Sequence, residues 1–335
     1  MEIGVKKRAM IFSGNSNPEL AEEIAAHLGM RLGDVEISRF ASGEIYVRFH
    51  ESTRGADAFV IQSHAEPVNE MIMEQLLMID ALKRASAKRI NAVIPFYGYS
   101  RQDRKSLARE PISARLVMDL LAAAGADRVL SVDLHSGQTQ GFFDGPVDHL
   151  TALPILAQYV QENYPEDLVV VAPDAGRAGH AAKYSRHLNN APIAVMQKTR
   201  RADVRNVSQS GGLIGEVEGK RCLIVDDMID TAGTLTNGVN ELIEQGATEV
   251  IAAATHGLFS PPAMMRLEQS ALKEVIVTNT LSLSPDKRID KLTVLSIAPI
   301  VASTIKAVFE DESVSEIFQG EHLEAIPPER ILSEE

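Results

Sequence analysis

Residues 221–244 read RCLIVDDMIDTAGTLTNGVNELIE, and this segment combines three structural signals in sequence. It opens with a continuous apolar run, Arg221–Val225, which is typical of a strand buried on both faces of a parallel sheet. It closes with Thr234–Glu244, whose apolar residues recur with helical spacing. The segment between them is polar and carries a glycine, Gly233. A strand, a short polar loop and a helix in this order predict one repeat of an α/β architecture.

The same alternation continues outward from this stretch in both directions along the chain. Further apolar runs predict strands at Ala9–Phe12, Ala58–Gln62, Ile90–Ile94, Arg128–Val132, Leu168–Ala172, Ile193–Gln197, Glu249–Ala253, Glu274–Val277 and Leu292–Ser296. Amphipathic segments predict helices at Pro18–Leu28, Val68–Arg84, Pro111–Ala124, Leu153–Asn163, Gly176–Leu188 and Ala298–Phe309. The pattern runs twice, with a seam near Asp148–Leu153, and predicts an α/β protein with two mainly parallel sheets.

The loop that begins at Asp226 is suited to a phosphorylated sugar. Gly233 lets the backbone approach a ligand closely, and the start of a helix favours an anion. Asp226 and Asp227 would repel a phosphate, but their carboxylates can accept hydrogen bonds from sugar hydroxyls. The alternative, an ordinary capping Asp–Thr pair at a helix start, explains a single Asp-x-Thr but not the whole loop. No Walker A sequence is present in the chain.

The nonapeptide at residues 226–234 resembles the phosphoribosyl-diphosphate-binding motif shared by type I phosphoribosyltransferases and ribose-phosphate diphosphokinases. The resemblance implies two tandem Rossmann-like domains of the phosphoribosyltransferase type I fold. An N-terminal ATP-binding domain is expected at 1–150, joined by a C-terminal helix and tail at about 304–320. A ribose 5-phosphate-binding domain is expected at 151–303, and a disordered acidic tail at 321–335. The residues expected to hold the sugar phosphate are Arg200, Asp226, Asp227, Asp230, Thr231, Ala232, Gly233 and Thr234.

Two other segments, Arg39–Glu44 and Phe96–Arg104, resemble the ATP-binding segments of the diphosphokinases. In the second, an arginine that follows a predicted strand can pair with triphosphate oxygens in a bidentate manner. In the first, Phe40 offers a face for stacking, although core packing would explain an isolated phenylalanine better. The residues that the resemblance assigns to the nucleotide are Phe40, Ser42, Gly43, Glu44, Arg101 and Gln102.

His135 and Asp174 each follow a predicted strand and resemble the magnesium-site residues of the same family. Magnesium prefers oxygen ligands and retains waters, so the histidine is expected to act partly through water or on phosphate. Lys198 opens a polar, arginine-containing segment that resembles the family's catalytic loop. By that resemblance, Lys198 and Arg200 are the catalytic residues that stabilise the transferring diphosphoryl group.

Composition excludes several classes of function. The chain of 335 residues is long enough for two domains, and its net charge of −13 argues against binding to nucleic acid. A single cysteine, Cys222, rules out an intrachain disulfide and is expected to be a buried thiol. No apolar run reaches the roughly 18 residues of a membrane-spanning helix, so a cytoplasmic protein without membrane partners is expected.

The resemblance also implies a reaction and an assembly. The β,γ-diphosphoryl group of ATP would pass to the anomeric hydroxyl of ribose 5-phosphate, giving 5-phosphoribosyl 1-diphosphate and AMP for nucleotide, His and Trp biosynthesis. A homohexamer that uses Mg²⁺ and responds to phosphate and ADP is implied. The departures from the family pattern that leave effector behaviour open are Ser106, Gly137 and His149. The other departures are Ser42, Arg177, His180, Thr199 and Ala202.

Two alternatives remain open at this point. A type I phosphoribosyltransferase would keep the nonapeptide but would need neither the Arg101–Gln102 segment nor a duplicated fold. A non-catalytic protein that associates with the synthases would be expected to show damage at Lys198, at His135 or in the nonapeptide, and no damage is visible.

Overall fold

The computed structural model describes residues 7–200 and 208–314, with the backbone alone for 198–200 and 208–211. Within these limits the chain divides into two compact units. Unit 1 comprises residues 7–151, 280–282 and 297–314. Unit 2 comprises residues 152–200, 208–279 and 283–296.

Strands and helices alternate along most of the described chain. The strands are β1 (Ala9–Ser13), β2 (Val35–Arg39), β3 (Ile45–Phe49), β4 (Asp57–Ile61), β5 (Arg89–Ile94), β6 (Arg128–Val132), β7 (Val147–Leu150), β8 (Leu168–Ala172), β9 (Ile193–Arg200), β10 (Ser208–Ile214), β11 (Arg221–Ile229), β12 (Glu249–Gly257), β13 (Leu272–Thr278) and β14 (Leu292–Leu295). The helices are α1 (Pro18–His27), α2 (Val68–Arg84), α3 (Ser113–Ala124), α4 (Leu153–Asn163), α5 (Ala178–His187), α6 (Gly233–Glu244), α7 (Ala263–Gln269) and α8 (Ala298–Glu310).

Unit 1 is built on a parallel sheet in the order β1-β4-β5-β6-β7. All five residues of β4 are buried, as expected for a strand in the middle of a covered parallel sheet. An antiparallel ribbon, β2-β3, packs beside α2. The helix α8 packs against α1, so unit 1 includes a helix that follows unit 2 in the sequence.

Unit 2 is built on a sheet in the order β10-β9-β8-β11-β12-β13-β14. Every neighbouring pair is parallel except β10 with β9, which is antiparallel. Cys222 lies in the core of this unit and is fully buried, as predicted, and burial raises the pKa of its thiol to about 11. The thiol is therefore protonated and unreactive near neutral pH.

Local signals in the sequence explain where several helices begin and end. Asn17 caps α1 because its side chain accepts a hydrogen bond from Leu20 N at 3.3 Å, and Pro18 occupies the first turn. Gly125 ends α3 with a φ of 120°, a left-handed conformation that glycine adopts without strain. None of the helices in the described residues combines the length and apolar character that a membrane crossing requires.

The predicted α/β class with mainly parallel sheets is confirmed, but some elements were missed or cut short. The patterns did not predict β2, β3, β7, β10 or α7, which are short or carry too many polar residues for a clear period. The predicted ends of three strands fell short by three or four residues. β9 continues to Arg200 rather than Gln197, β11 to Ile229 rather than Val225, and β12 to Gly257 rather than Ala253.

Candidate active site

The carboxyl edge of the unit 2 sheet lies where β8 ends and β11 continues. β11 pairs with β8 only as far as Ile224, opposite Val171, but it stays paired with β12 up to Ile229. Asp226 and Asp227 are therefore strand residues that extend past the end of β8, not the first residues of a loop as the sequence predicted. Ligands of open α/β sheets bind beyond this edge, so both carboxylates lie where a site is expected.

Arg177 bridges the two carboxylates. Its Nε atom lies 2.9 Å from Asp226 Oδ1, and its Nη2 atom donates a hydrogen bond to Asp227 Oδ1. Asp226 Oδ1 also accepts a hydrogen bond from the backbone N–H of Asp227 at 2.9 Å. The Asp227 side chain is 5% exposed and that of Asp226 is 32% exposed. Asp227 is thus the buried anchor of the guanidinium, and Asp226 is the carboxylate that a ligand reaches more easily.

The charges of this cluster depend on each other. Burial raises the pKa of Asp226 to about 7, the carboxylate of Asp227 adds to the rise, and Arg177 opposes it. Burial lowers the pKa of Arg177, but Asp227 and Asp226 outweigh this effect and keep the guanidinium pKa above its ordinary value. Arg177 is therefore a permanent positive charge that offsets part of the repulsion between the two carboxylates.

The loop after β11 leads directly into α6. Ala232 adopts a left-handed backbone with φ 58° and ψ 2°, which is uncommon for a residue with a side chain. This turn lets α6 begin at Gly233, with Thr231 and Thr234 exposed on either side of it. The first amides of a helix have no partner within the helix, and the helix dipole favours an anion there. A helix start of this kind can accept an anion, so the assignment of Asp230 to Thr234 to a phosphate stays a prediction.

A cation that the sequence did not reveal lies against this loop. Arg266, from α7, donates a hydrogen bond from Nη1 to the carbonyl oxygen of Thr231 at 2.9 Å. A Cβ atom at Gly233 would lie 3.0 Å from the same Nη1 atom, so glycine leaves room for the arginine. Arg266 is distant in sequence, and α7 was not predicted, so no signal in the motif itself identified it.

Asp174 follows β8 and opens a short turn in which Arg177 N donates to Asp174 O at 3.0 Å. His135 follows β6 and belongs to unit 1, whereas Asp174 belongs to unit 2. Within the described residues, no group of three or more His, Cys, Asp or Glu side chains could hold a metal ion by itself. The proteins that bind Mg²⁺ beside a nucleotide often supply only one or two carboxylates, because phosphates and waters complete the shell.

The turn between β2 and β3 gathers four of the residues assigned to the nucleotide. Phe40 N donates to Glu44 O at 2.9 Å, and Ser42 Oγ donates to Glu44 Oε2 at 2.7 Å. Gly43 has a φ of 92°, which only glycine adopts readily. Phe40 is 56% exposed, so core packing does not explain it, and its ring meets Tyr46 edge-on at 5.7 Å. An exposed ring on a tight turn is available for stacking.

Arg101 and Gln102 lie in unit 1 in the segment after β5. Gln102 N donates to Tyr99 O at 2.9 Å, and Gln102 Oε1 accepts from Ser113 Oγ at 2.7 Å. These bonds tie the segment to the start of α3, while the Arg101 side chain is exposed. The structure therefore fixes the backbone of the segment and leaves a cation accessible to an anion.

His64 is a residue of this region that the sequence did not single out. It is completely buried, its Nδ1 accepts from Gly98 N at 3.1 Å, and its Nε2 lies 2.9 Å from Gln75 Oε1. Since Nδ1 accepts a hydrogen bond, the proton is on Nε2 and is donated to Gln75. Burial lowers the pKa of His64 to about 4, with the Gln75 hydrogen bond opposing the shift. The neutral ring therefore links α2 to the segment that carries Arg101.

The low pKa of His64 predicts a pH dependence of stability. Protonation is easier in the unfolded chain, at 6.5, than in the folded protein, at about 4, so stability is full above pH 6.5 and falls as the pH drops toward 4. The expected loss at pH 4 is roughly 3 kcal/mol, at 1.36 kcal/mol per pKa unit. Denaturant unfolding of wild type and His64→Gln at pH 7, 5.5 and 4 measures it. The difference between the two proteins should shrink with acid, and a difference independent of pH would contradict the assignment.

Lys198 and Arg200 belong to β9, but their side chains lie outside the described residues. Their backbone is informative. β9 pairs with β8 only up to Val195, opposite Ala172, and beyond that point it pairs with β10 alone. Lys198 is paired with Ser210 in this hairpin, past the carboxyl edge of the sheet. The segment expected to be a loop from Lys198 onward thus begins as an antiparallel ribbon.

Two of the residues that depart from the family pattern have structural partners in unit 1. His149 Nε2 accepts a hydrogen bond from Leu134 N at 2.8 Å, next to His135 in the turn after β6. Ser106 N donates to Glu110 Oε2 at 2.8 Å. Both residues therefore stabilise local backbone, and Gly137 begins a short 3₁₀ turn close by.

The acidic pair of β11 precedes the start of α6 within one short segment, on a fold of two mainly parallel α/β sheets. The family model for the N-terminal domain of ribose phosphate pyrophosphokinase matches residues 9–125. The model for the phosphoribosyl synthetase-associated domain matches residues 204–319.

Curated relatives and a solved structure agree with these matches. A ribose-phosphate pyrophosphokinase of Mycobacterium leprae is 56% identical over 94% of this chain and 97% of its own length. That of Corynebacterium glutamicum is 53% identical over the same shares. The crystal structure of phosphoribosylpyrophosphate synthetase from Mycobacterium smegmatis is 55% identical with a TM-score of 0.87, covering 91% of this chain and 100% of that one.

The chain belongs to the ribose-phosphate pyrophosphokinase family. It is therefore an enzyme that transfers a diphosphate group. The family, fold class and enzyme class expected from the sequence are confirmed. Neither the phosphoribosyltransferase nor the non-catalytic alternative is favoured.

Proposed function

We propose that the chain transfers the β,γ-diphosphoryl group of ATP to the anomeric hydroxyl of ribose 5-phosphate, giving 5-phosphoribosyl 1-diphosphate and AMP. The observation that carries this proposal is the continuous path in unit 2 from the acidic pair on β11 to the first turn of α6. Asp227 lies six residues before Gly233, the first residue of α6, so carboxylates and a helix start on one short segment match the hydroxyl and phosphate ends of one sugar phosphate. The family membership supplies the reaction that such a sugar phosphate undergoes.

In this proposal the 5-phosphate binds at the start of α6. The exposed hydroxyls of Thr231 and Thr234 and the backbone amides from Ala232 onward donate to it. Arg266 adds positive charge beside the loop. The carboxylates of Asp226 and Asp227 accept hydrogen bonds from the ribose hydroxyls, which orients the anomeric carbon away from the buried end of β11.

The nucleotide is assigned to unit 1. Phe40 stacks on the adenine, Ser42, Gly43 and Glu44 hold the turn that presents it, and Arg101 and Gln102 bind phosphate oxygens. The exposure of Phe40 and Arg101 and the internal hydrogen bonds of both segments support this assignment. Preformed segments lower the entropy lost when the nucleotide binds.

The family needs a metal, and we assign Mg²⁺ to it, with Asp174 and His135 as the residues that the family resemblance gives to the ion. The half-buried carboxylate of Asp174 suits Mg²⁺, because this ion prefers oxygen ligands and takes several of them from phosphates and waters. When bound, the ion neutralises charge on the triphosphate.

Transfer requires little acid–base chemistry from the protein. The anomeric hydroxyl attacks the β-phosphorus in line, and a bond forms between its oxygen and that phosphorus. The bond from the β-phosphorus to the oxygen shared with the α-phosphate breaks, AMP leaves with that oxygen, and the hydroxyl proton passes to solvent. Lys198 and Arg200 stabilise the negative charge that moves onto the bridging and equatorial oxygens. Positioning and electrostatic stabilisation therefore account for most of the rate.

We also propose that the protein is a cytoplasmic homohexamer with phosphate as activator and ADP as inhibitor, because the family resemblance implies these properties. A phosphate titration with no effect on rate would remove the first effector from the proposal.

The experiment that tests the function is a coupled assay for AMP release from ATP in Mg²⁺, with and without ribose 5-phosphate. Release that depends strictly on the sugar phosphate is expected, with phosphorus NMR showing the diphosphate on the anomeric carbon. AMP release without the sugar, or none with it, would contradict the proposal.

A further inference from the structure

Arg177 lies at the acidic pair because of the strand order in unit 2. β8 and β11 are parallel neighbours with Val171 opposite Ile224, so the turn after β8 lies beside the extension of β11. The turn that opens at Asp174 ends at Arg177, just before α5. The Arg177 side chain is 20% exposed and points into the cluster, where it contacts both carboxylates through different nitrogen atoms.

The contacts fix the direction of each carboxylate. A carboxylate turns easily about its terminal torsion, because wells for such sp³–sp² torsions are broad. Here Asp226 Oδ1 is held from two sides, by Arg177 Nε and by the Asp227 N–H, each at 2.9 Å. Asp227 Oδ1 is held by Arg177 Nη2. At least one oxygen of each carboxylate is therefore held by the protein, which restricts how each carboxylate can turn.

We propose, building on the proposed function, that Arg177 is a positioning residue that presents the Asp226–Asp227 pair to the ribose hydroxyls and thereby sets the preference for ribose 5-phosphate over 2-deoxyribose 5-phosphate. A fixed, partly buried carboxylate loses its hydrogen bond when the sugar lacks the matching hydroxyl, and nothing else in the sugar replaces it. Sites built to hydrogen-bond a substrate hydroxyl reject the analogue without it strongly for this reason. Carboxylates that are free to turn can relax instead, so the preference weakens.

The chain offers a conservative variant and a matched control. Arg177→Lys keeps the charge but cannot bridge two carboxylates through a planar fork. Arg177→Gln removes the charge and keeps one donor group. Arg186→Ala removes an exposed positive charge from the last turn of the adjacent helix α5, away from the acidic pair. None of the three replaces a residue of β8 or β11.

Steady-state kinetics with both sugars, at saturating ATP and Mg²⁺, test the proposal. For Arg177→Gln, KM for ribose 5-phosphate should rise about tenfold or more, with kcat within about threefold of wild type. The ratio of kcat/KM between the two sugars should fall about tenfold, Arg177→Lys should lie between, and Arg186→Ala should match wild type. An unchanged sugar ratio, or a loss confined to kcat, would overturn the positioning role.

Calorimetric binding of ribose 5-phosphate and of its 2-deoxy analogue, without ATP, separates this proposal from the proposed function. If wild type binds ribose 5-phosphate but releases no AMP, the reaction assignment fails while the sugar preference of the Arg177 variants is still measurable. If an Arg177 variant binds both sugars with the wild-type ratio of affinities, the inference fails and the reaction assignment stands. A variant that unfolds is recognised by its lost circular dichroism signal and thermal transition, and Arg177→Lys then decides.

Discussion

Replacing Lys198 by alanine is expected to lower kcat by roughly 10²–10³-fold, the usual cost of removing one group that stabilises transition-state charge. The position of Lys198 in the backbone is consistent with a role in the transfer. Lys198 is three residues beyond Val195, the last residue of β9 that pairs with β8. At about 3.3 Å per strand residue, this places its Cα roughly 10 Å past the sheet edge where Asp174 and Asp226 lie. KM for both substrates should change by less than about threefold, because the charge develops only during transfer.

A matched control shows whether the loss depends on the position of Lys198 or only on the removal of a positive charge. Lys273 is an exposed lysine near the start of β13, at the opposite end of the sheet from the site. Lys273→Ala should keep wild-type kcat, and Lys198→Arg should recover part of the loss. A Lys198→Ala enzyme that loses its activity mainly through raised KM values would show that the residue binds ground-state substrate instead.

Replacing Asp57 by alanine is expected to destabilise unit 1 by about 3–5 kcal/mol, the range for breaking a buried ion pair. Asp57 is 2% exposed in β4, and Arg89 of β5 donates to both of its oxygens, with Nε to Oδ1 at 2.9 Å. The same guanidinium reaches Asp311 Oδ1 at 2.7 Å, at the end of α8. Removing Asp57 leaves a half-buried cation beside the sheet with only one carboxylate.

Denaturant unfolding, followed by a probe in unit 1, measures this effect. The control is Asp80→Ala, which removes an exposed carboxylate paired with Arg84 one helical turn away at 2.6 Å. Exposed pairs of this kind contribute less than about 1 kcal/mol. Equal losses for both variants would mean that burial does not strengthen the Asp57 pair.

The site was easiest to predict where the residues that form it are close together in the sequence. The run from Asp226 to Thr234 combines a strand end, a glycine and a helix start within a few residues, so both the fold and the phosphate site could be inferred locally. Local apolar runs also located most central strands, because burial on both faces demands continuous apolar residues.

What the sequence could not show depends on strand register and on distant partners. Arg177 reaches the acidic pair only because β8 and β11 are neighbours, which no local pattern reveals. The same contact explains why β11 extends beyond its predicted end at Val225. Adjacent aspartates are unfavourable in strands, but the guanidinium of Arg177 between them offsets their repulsion. His64 was missed because a lone histidine in a mostly polar segment has no pattern, and its role comes from Gly98 and Gln75.

The return of α8 to unit 1 has a consequence for how the nascent chain folds. A ribosome makes about 145 residues, 152–296, between the body of unit 1 and the helix that packs against α1. At about 5–20 residues per second, this interval lasts roughly 7–30 s. During that time the apolar surface that α8 will cover, beside α1, is exposed on the emerging polypeptide. Newly made unit 1 is therefore a natural client for chaperones that shield such surfaces until translation is nearly finished.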